Sequence, residues 1–306
     1  MSDAIAESHK GRLGCSELSA ALGVFPWKTP FMLWSEKTGR AEPPDIGGML
    51  RVKLGNMLEN VVTDLYEEQT GNMTMKWSRP FQHRSLPIIG HIDRRVRTRL
   101  HVRGGLEIKT ALGRFPSDEW GKPGTDQIPL HYLLQCMGYL MLTGWDFWDV
   151  AVLLAGPEVR IYRVHPDPGA FDAIEQGVRA FWKYVETDVP PPNTTLADCA
   201  ARWPLATGTT VEATAGDVEA VSELRRIKSE IAGLEKIAEK LEIGVKGIMK
   251  DSAGLAYQGK TLCTWKAQTS RRIDTTALRA AHPGIVADFT TETTNRVFRL
   301  AKEKTE

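Results

Sequence analysis

Two short segments of this chain carry side chains that could hold a metal ion and activate water. Residues 90–93 (GHID) end an apolar run, and residues 105–109 (GLEIK) follow a basic, turn-like stretch. Side chains alternate between the faces of a strand, so we expect Glu107 and Lys109 on one face. With Asp93 on a neighbouring strand, two carboxylates and an ammonium would share one small surface. That surface suits a hard divalent cation and predicts metal-assisted phosphodiester hydrolysis.

The Glu-x-Lys pattern also occurs as a solvent-exposed cross-strand ion pair, so its surroundings must decide between the two interpretations. Eight Arg and Lys residues lie between Arg84 and Arg114, where only Asp93 and Glu107 oppose them. The whole chain, in contrast, has a net charge of only +1. A phosphate-backbone substrate would explain basic charge around an acidic site. The alternative is that residues 95–103 form a solvated hairpin.

The bulk composition is that of a soluble globular protein, with 42% hydrophobic and 25% charged residues in a chain of 306. The four cysteines are scattered and form no Cys-x-x-Cys pair, which argues against zinc and iron–sulfur sites and favours reduced thiols. Met1–Lys10 lacks the apolar segment of a signal peptide, and no apolar run approaches the roughly 20 residues of a membrane span. We therefore expect a cytoplasmic protein without a membrane partner.

Apolar spacing and turn residues predict the elements that must position these side chains. Helices are predicted over 16–23, 30–39, 54–71, 129–143, 167–186 and 217–250. Strands are predicted over 79–83, 87–93, 106–110, 148–154, 159–164, 261–266 and 295–300, with a turn at Gly156-Pro157. Glu59 falls on the third helix, and Gln135 and Tyr139, four residues apart, share one face of the fourth. Trp27 and Trp34 are expected in the core.

The pattern divides the chain into three parts. Residues 1–190 carry all the candidate chemistry, and residues 191–213 are rich in Pro, Thr and Gly and are predicted to be a linker. Residues 214–306 form a C-terminal accessory region with a long helix and short strands. The long helix either packs on its own domain or forms a hairpin arm or subunit contact.

Six segments occur in a distinctive order: RLGCSELSAALG (12–23), FPWKTPFMLWSEKTG (25–39), LGNMLENVVTDLYEEQTG (54–71), GHIDRRV (90–96), GLEIKTA (105–111) and QCMGYLMLTG (135–144). This order resembles the YqaJ-type viral recombinase family, the lambda-exonuclease-like branch of the PD-(D/E)xK nucleases. The resemblance implies an α/β (α+β) fold, with a restriction-endonuclease-like core whose central mixed sheet is flanked by helices. The C-terminal helical/β part would be an appendage.

The resemblance also implies a role for each matching residue. The implied metal ligands are Asp93, Glu107, the backbone carbonyl of Ile108 and, near a second ion, Glu59. Lys109 would orient and help to deprotonate the attacking water, while Gln135 and Tyr139 line the active site and Arg12 and Ser16 hold a 5′-phosphate. Two features depart from the family pattern: Ile92 replaces the Pro of the motif, and the loop between Arg12 and Ser16 is shorter than in the lambda-type enzyme.

The implied activity is that of a Mg²⁺-dependent exonuclease of phage or prophage recombination, with Mn²⁺ as a substitute. It would degrade double-stranded DNA ends 5′→3′ and leave 3′ single-stranded tails. The implied partners are a single-strand annealing protein and further copies of the chain in a trimer, in the cytoplasm of a bacterial host. Two alternatives remain: an endonuclease on the same metal site, and a non-catalytic DNA-binding recombination subunit.

Overall fold

The computed structural model describes residues 11–111, 119–154 and 158–301. The expectations for Met1–Lys10, for Arg114 and for the turn at Gly156-Pro157 lie outside these residues. The chain divides into two compact units, of which one ends at Ala201 and the other begins at Arg202.

The elements have the following bounds. The strands are β1 (Leu13–Gly14), β2 (Met73–Lys76), β3 (Phe81–Gln82), β4 (Ile88–Gly90), β5 (Arg94–Arg97), β6 (Arg103–Ala111), β7 (Phe147–Leu154), β8 (Glu158–Val164), β9 (Gly254–Tyr257) and β10 (Lys260–Thr264). A 3-10 turn (Cys15–Glu17) precedes the helices α1 (Leu18–Ala21), α2 (Pro30–Lys37), α3 (Leu50–Thr70), α4 (Leu130–Thr143), α5 (Pro168–Glu186), α6 (Leu196–Arg202), α7 (Ala215–Met249), α8 (Thr275–Ala281) and α9 (Pro283–Asp288).

A mixed sheet in the order β2-β5-β6-β7-β8 forms the centre of the first unit. Strands β6 and β7 are parallel, whereas the other neighbouring pairs are antiparallel. Parallel neighbours need a crossover connection, and α4 supplies it between β6 and β7. The strands β1, β4 and β3 form a smaller sheet in that order. A short loop connects its strand β4 to β5 of the central sheet.

Helices cover both faces of the central sheet. On one face, the ring of Tyr139 from α4 stacks on Trp148 of β7 with centroids 4.7 Å apart. On the other face, Val62 and Tyr66 of α3 are fully buried in a cluster with residues of β5, β6 and β7. The predicted mixed α/β architecture, a central mixed sheet flanked by helices, is confirmed.

Two adjacent glycines fix how β7 lies against the strand of the candidate site. Gly104 and Gly105 pair with Phe147 and Trp148 across the parallel ladder. A Cβ atom at either glycine would lie 2.3 Å from the opposing aromatic ring, so only glycine permits this close approach. The two rings thereby hold β6 in one register, and this register carries Glu107 on the face that α4 covers.

Three sequence expectations need correction. Residues 295–300 form no strand, because their alternating pattern has no neighbouring strand to pair with. Trp34 is 4% exposed and belongs to the core, but Trp27 is 71% exposed, since it lies in the loop that joins α1 to α2. The segment predicted as a linker contains α6, whose Asp198 is buried.

The second unit is built around α7, which runs for 35 residues and ends next to the β9–β10 hairpin. Its predicted apolar positions, including Ile231 and Leu234, are exposed, except for the half-buried Leu224. At its C-terminal end, Met249 is buried beside Cys263, with the two sulfur atoms 3.7 Å apart. In the described part of the chain, no helix combines the length and apolarity that crossing a bilayer requires.

Candidate active site

Asp93 lies in the loop between β4 and β5 and not on a strand, yet its carboxylate reaches β6. Its Oδ2 accepts a hydrogen bond of 2.8 Å from the backbone N–H of Ile108. The regular β5–β6 ladder ends at the pair Arg94–Leu106, so the side chain of Asp93 takes over where backbone pairing stops. The structure thus brings Asp93 to the segment that holds Glu107 and Lys109, as predicted, although from a loop.

Glu107 is 3% exposed, and its two oxygen atoms have different surroundings. Its Oε1 accepts hydrogen bonds from Lys109 Nζ at 2.5 Å and from Gln135 Nε2 at 2.8 Å. Gln135 Nε2 also donates to the hydroxyl of Tyr139, which in turn donates to the backbone carbonyl of His91. The second oxygen of Glu107, Oε2, is buried and has no hydrogen-bond partner among the described residues. A buried carboxylate oxygen without a partner is costly and marks a position where a cation can bind.

The crowding of charges changes the proton affinities of the site. Burial raises the pKa of Asp93 to about 7, and the nearby Glu107 carboxylate adds to this shift, although Lys109 and the Ile108 N–H oppose it. Burial alone would lower the pKa of Lys109, but the Glu107 and Asp93 carboxylates outweigh it and the pKa lies above its ordinary value. Lys109 is therefore an ammonium at neutral pH. As an ammonium, it can orient water and stabilise negative charge.

Glu59 is held by an arginine, Arg94, that the sequence analysis did not place in the site. The buried guanidinium of Arg94 lies 2.8 Å from Glu59 Oε1 and donates to the backbone carbonyl of Asp93 and the side chain of Asn60. Arg94 thus ties α3 to the loop that presents Asp93. The signal in the sequence is its position: it follows Asp93 directly, so strand alternation turns it to the face that α3 covers.

Arg12 and Ser16 flank the short strand β1, which pairs in parallel with β4. Ser16 is exposed and Arg12 is half-buried. Within the described ranges, no hydrogen bond or ion pair joins either residue to Asp93, Glu107 or the other candidates. Cys15, which lies between them in the chain, is buried. It packs closely against Gly138 of α4, where an added Cβ atom would be 3.1 Å from the sulfur of Cys15.

The donor set fits a hard divalent cation in its chemistry. It consists of two carboxylates, one of them with an unpaired buried oxygen, and a protonated lysine nearby. In the parts of the chain that the structure describes, no three His, Cys, Asp or Glu side chains converge in a metal-ligating arrangement. Glu59 faces Arg94, so the carboxylates that converge are Asp93 and Glu107, and further ligands would have to be backbone carbonyl or water oxygens.

Comparisons with known proteins found a matching family model and a similar curated protein. Residues 6–146 match the family model of the YqaJ-like viral recombinase domain. Over 303 residues the chain is 27% identical to the uncharacterized protein YqaJ of Bacillus subtilis (strain 168), covering 96% of this chain and 92% of YqaJ.

Two solved structures are also similar, at 16% identity each. One is an alkaline exonuclease from Laribacter hongkongensis, with a TM-score of 0.47 over 61% of this chain and 94% of that one. The other is a phage-related exonuclease from Haemophilus somnus 129PT, with a TM-score of 0.46 over 58% of this chain and 95% of that one. The match of the family model over residues 6–146 confirms the resemblance to YqaJ-type viral recombinases that was predicted from the sequence.

Proposed function

We propose that this chain is a metal-dependent deoxyribonuclease that hydrolyses phosphodiester bonds at the ends of duplex DNA. The observation that carries the proposal is the unpaired, buried Oε2 of Glu107, in electrostatic contact with Asp93 and beside the charged Lys109. Two carboxylates and an ammonium at this spacing suit phosphodiester hydrolysis better than a structural ion pair, which would leave no oxygen unpaired. The recombinase family match is in keeping with a DNA substrate.

The proposed ligands of the cation are Asp93, Glu107 and the backbone carbonyl of Ile108. The N–H of Ile108 is directed at Asp93, and the N–H and C=O of one strand residue point to the same edge of the strand. Its carbonyl is therefore on the side where Asp93 lies. Oxygen donors favour Mg²⁺, with Mn²⁺ as a substitute. When bound, the cation would supply Lewis-acid chemistry, namely compensation of phosphate charge and activation of water.

The remaining side chains have distinct roles in this proposal. Lys109 donates hydrogen bonds to the attacking water and offsets the negative charge that develops on the phosphate. Gln135 donates a hydrogen bond to Oε1 of Glu107, which leaves Oε2 available to the cation. The hydroxyl of Tyr139 accepts a second hydrogen bond from Gln135 and so fixes the position of its side chain. The side chains of Glu59 and Arg94 form an ion pair. Glu59 could therefore bind a second cation only if this ion pair broke.

The direction of degradation is proposed from Arg12 and Ser16. A guanidinium grips a phosphate through paired hydrogen bonds, and a nearby hydroxyl adds another. Capture of a terminal 5′-phosphate by these two residues would orient the duplex for 5′→3′ removal and leave 3′ tails. Trimer formation and action with a single-strand annealing protein belong to the same proposal, and mass measurement of the purified chain tests the first of these.

The test of the metal site compares cleavage of a linear duplex with Mg²⁺ and with a chelator. Asp93→Ala and Glu107→Ala should each lower the cleavage rate by at least about 100-fold, because each removes a direct ligand. Asp64→Ala and Asp172→Ala, which change exposed acids elsewhere in the first unit, should leave it unchanged. Cleavage that persists in chelator, or within tenfold of the parent in either site variant, would refute the assignment.

The test of end specificity uses three substrates: a linear duplex, the same duplex with one 5′ end blocked, and a covalently closed circle. An exonuclease of the proposed polarity should degrade the blocked duplex from its free end only and leave the circle intact. Arg12→Ala should reduce the preference for a 5′-phosphate over a 5′-hydroxyl end while metal dependence persists. Equal cutting of the circle would establish the endonuclease alternative instead.

A further inference from the structure

Trp27 is the most exposed of the nine tryptophans in this chain. Its exposed fraction is 71%, compared with 48% for Trp203 and Trp265 in the second unit. Its ring packs edge-to-face against Phe25 and His131, with centroids 5.3 and 5.5 Å away. We call these three rings the aromatic platform. So exposed an aromatic ring is available for contact with a ligand.

The aromatic platform is connected to the candidate active site through a continuous series of ring contacts. The ring of His131 lies 4.0 Å from that of Tyr132, and the ammonium of Lys109 lies 4.8 Å from the centroid of Tyr132. His131 and Tyr132 both belong to the first turn of α4, four and three residues before Gln135, respectively. Since successive nucleotides of one strand rise about 3.4 Å, Trp27 lies within roughly four nucleotides of Lys109.

The backbone around Trp27 is anchored on both sides. The N–H of Phe25 donates to the carbonyl of Ser19, and Lys28 forms an ion pair of 2.7 Å with Glu36. Thr29 caps α2 by accepting from the N–H of Met32 and donates to Asp198, which is 1% exposed. The aromatic platform is therefore held in place before any ligand arrives, and binding to it would require little ordering of the chain.

We propose that Trp27 stacks on a nucleobase of the DNA whose phosphate occupies the Asp93–Glu107–Lys109 site. This inference rests on the proposed nuclease function and adds to it a base-binding position. Every nucleobase offers a flat aromatic face, so such a contact is tolerant of sequence, as a nuclease that processes DNA ends requires. The contact would position the strand near the scissile phosphate, and Trp27 takes no part in the chemistry.

The test is a binding measurement without metal, which separates it from cleavage. A duplex carries the fluorescent base 2-aminopurine at one of the first six nucleotides from either end of a strand, and each placement is titrated with the full chain in chelator. Stacking on Trp27 should quench the fluorescence at one or two adjacent placements. Trp27→Ala should abolish that quenching and weaken DNA binding by roughly 5- to 150-fold, the range found when base–aromatic stacking is removed.

Two matched variants complete the design. Trp27→Phe keeps an aromatic face and should retain most of the quenching and affinity. Trp203→Ala removes another exposed tryptophan and should behave as the parent. Full quenching and unchanged affinity in Trp27→Ala would overturn the proposal. It would also be overturned if Trp27→Ala instead disrupted association of the chain with its own copies at unchanged DNA affinity, since Trp27 would then serve a protein contact.

The two proposals can fail separately. If Asp93→Ala and Glu107→Ala cleave DNA normally while quenching still depends on Trp27, the metal site is wrongly assigned but the aromatic platform binds a base. If those two variants are inactive and Trp27→Ala retains full quenching, the nuclease assignment holds and the aromatic platform has no part in DNA binding.

Discussion

The backbone N–H of Ile108 donates a hydrogen bond of 2.8 Å to the carboxylate of Asp93. This single bond joins a loop residue to the strand that carries the second acid, so the two carboxylates of the site come together without lying on adjacent strands. It also favours the ionised form of Asp93 and partly offsets the effect of burial on its pKa. Ion binding at this position would strengthen a geometry that is already present.

Lys109→Ala should reduce turnover by about 100-fold or more while changing the apparent Mg²⁺ affinity by less than about threefold. The reason is that Lys109 contacts Glu107 through its ammonium and stabilises charge that develops in the transition state. Titrations of cleavage rate with Mg²⁺ measure both quantities. Lys109→Arg, which keeps the positive charge, serves as the comparison. Full rescue of the alanine variant by excess Mg²⁺ would show that Lys109 only supports metal binding.

Gln135→Leu should weaken Mg²⁺ binding by roughly 10- to 100-fold, because groups that orient a metal ligand have effects of this size. The change removes the donor that holds Oε1 of Glu107 and leaves the hydroxyl of Tyr139 with one partner fewer. Calorimetric titration with Mg²⁺ measures the affinity directly. Gln69→Leu, at an exposed position of α3, is the control. An unchanged affinity in Gln135→Leu would mean that Glu107 needs no support from α4.

The stability of the metal-free protein should depend on pH through Asp93. Its folded-state pKa of about 7 lies above the value of about 3.9 for an unfolded Asp, so the folded state holds the extra proton between these values. The free energy of unfolding contributed by this group should therefore fall as pH rises from about 4 to about 7. Denaturant titrations in chelator measure it for the parent and for Asp93→Asn. Parallel pH profiles for the two proteins would contradict the prediction.

A fragment that ends at Ala201 should fold, whereas one that ends at Pro190 should be less stable. The longer fragment retains Asp198, which accepts hydrogen bonds from the hydroxyl of Thr29 and from the backbone N–H groups of Thr194 and Thr195. Ending at Pro190 removes Asp198 together with Thr194 and Thr195, and it leaves the hydroxyl of Thr29 without its partner, at a cost of about 1–3 kcal/mol when buried. Circular dichroism and thermal unfolding of both fragments test this. Equal stability would show that the first unit ends before α6.

The sequence by itself was sufficient for much of the fold. The apolar spacing predicted α3, α4, α5 and α7 to within a few residues, because apolar residues three or four positions apart lie on one face of a helix. Gly71 and Gly144, with φ of 67° and 64°, end two of them, as the sequence indicated. The segment 295–300 was mistaken for a strand because alternation marks only one side of a pair, and the partner strand is not visible in a local pattern.

The types and spacing of Asp93, Glu107 and Lys109, together with the family resemblance for Gln135 and Tyr139, were enough to predict which residues could share a site. Only the tertiary structure decided how they share it: Asp93 reaches Ile108 from a loop, Arg94 engages Glu59, and one oxygen of Glu107 stays unpaired. It alone showed that Trp27 is exposed near Lys109. The physical reason is that periodicity reports which face of an element is buried, whereas hydrogen bonds, charge pairing and pKa shifts depend on residues distant in sequence that meet only in the folded chain.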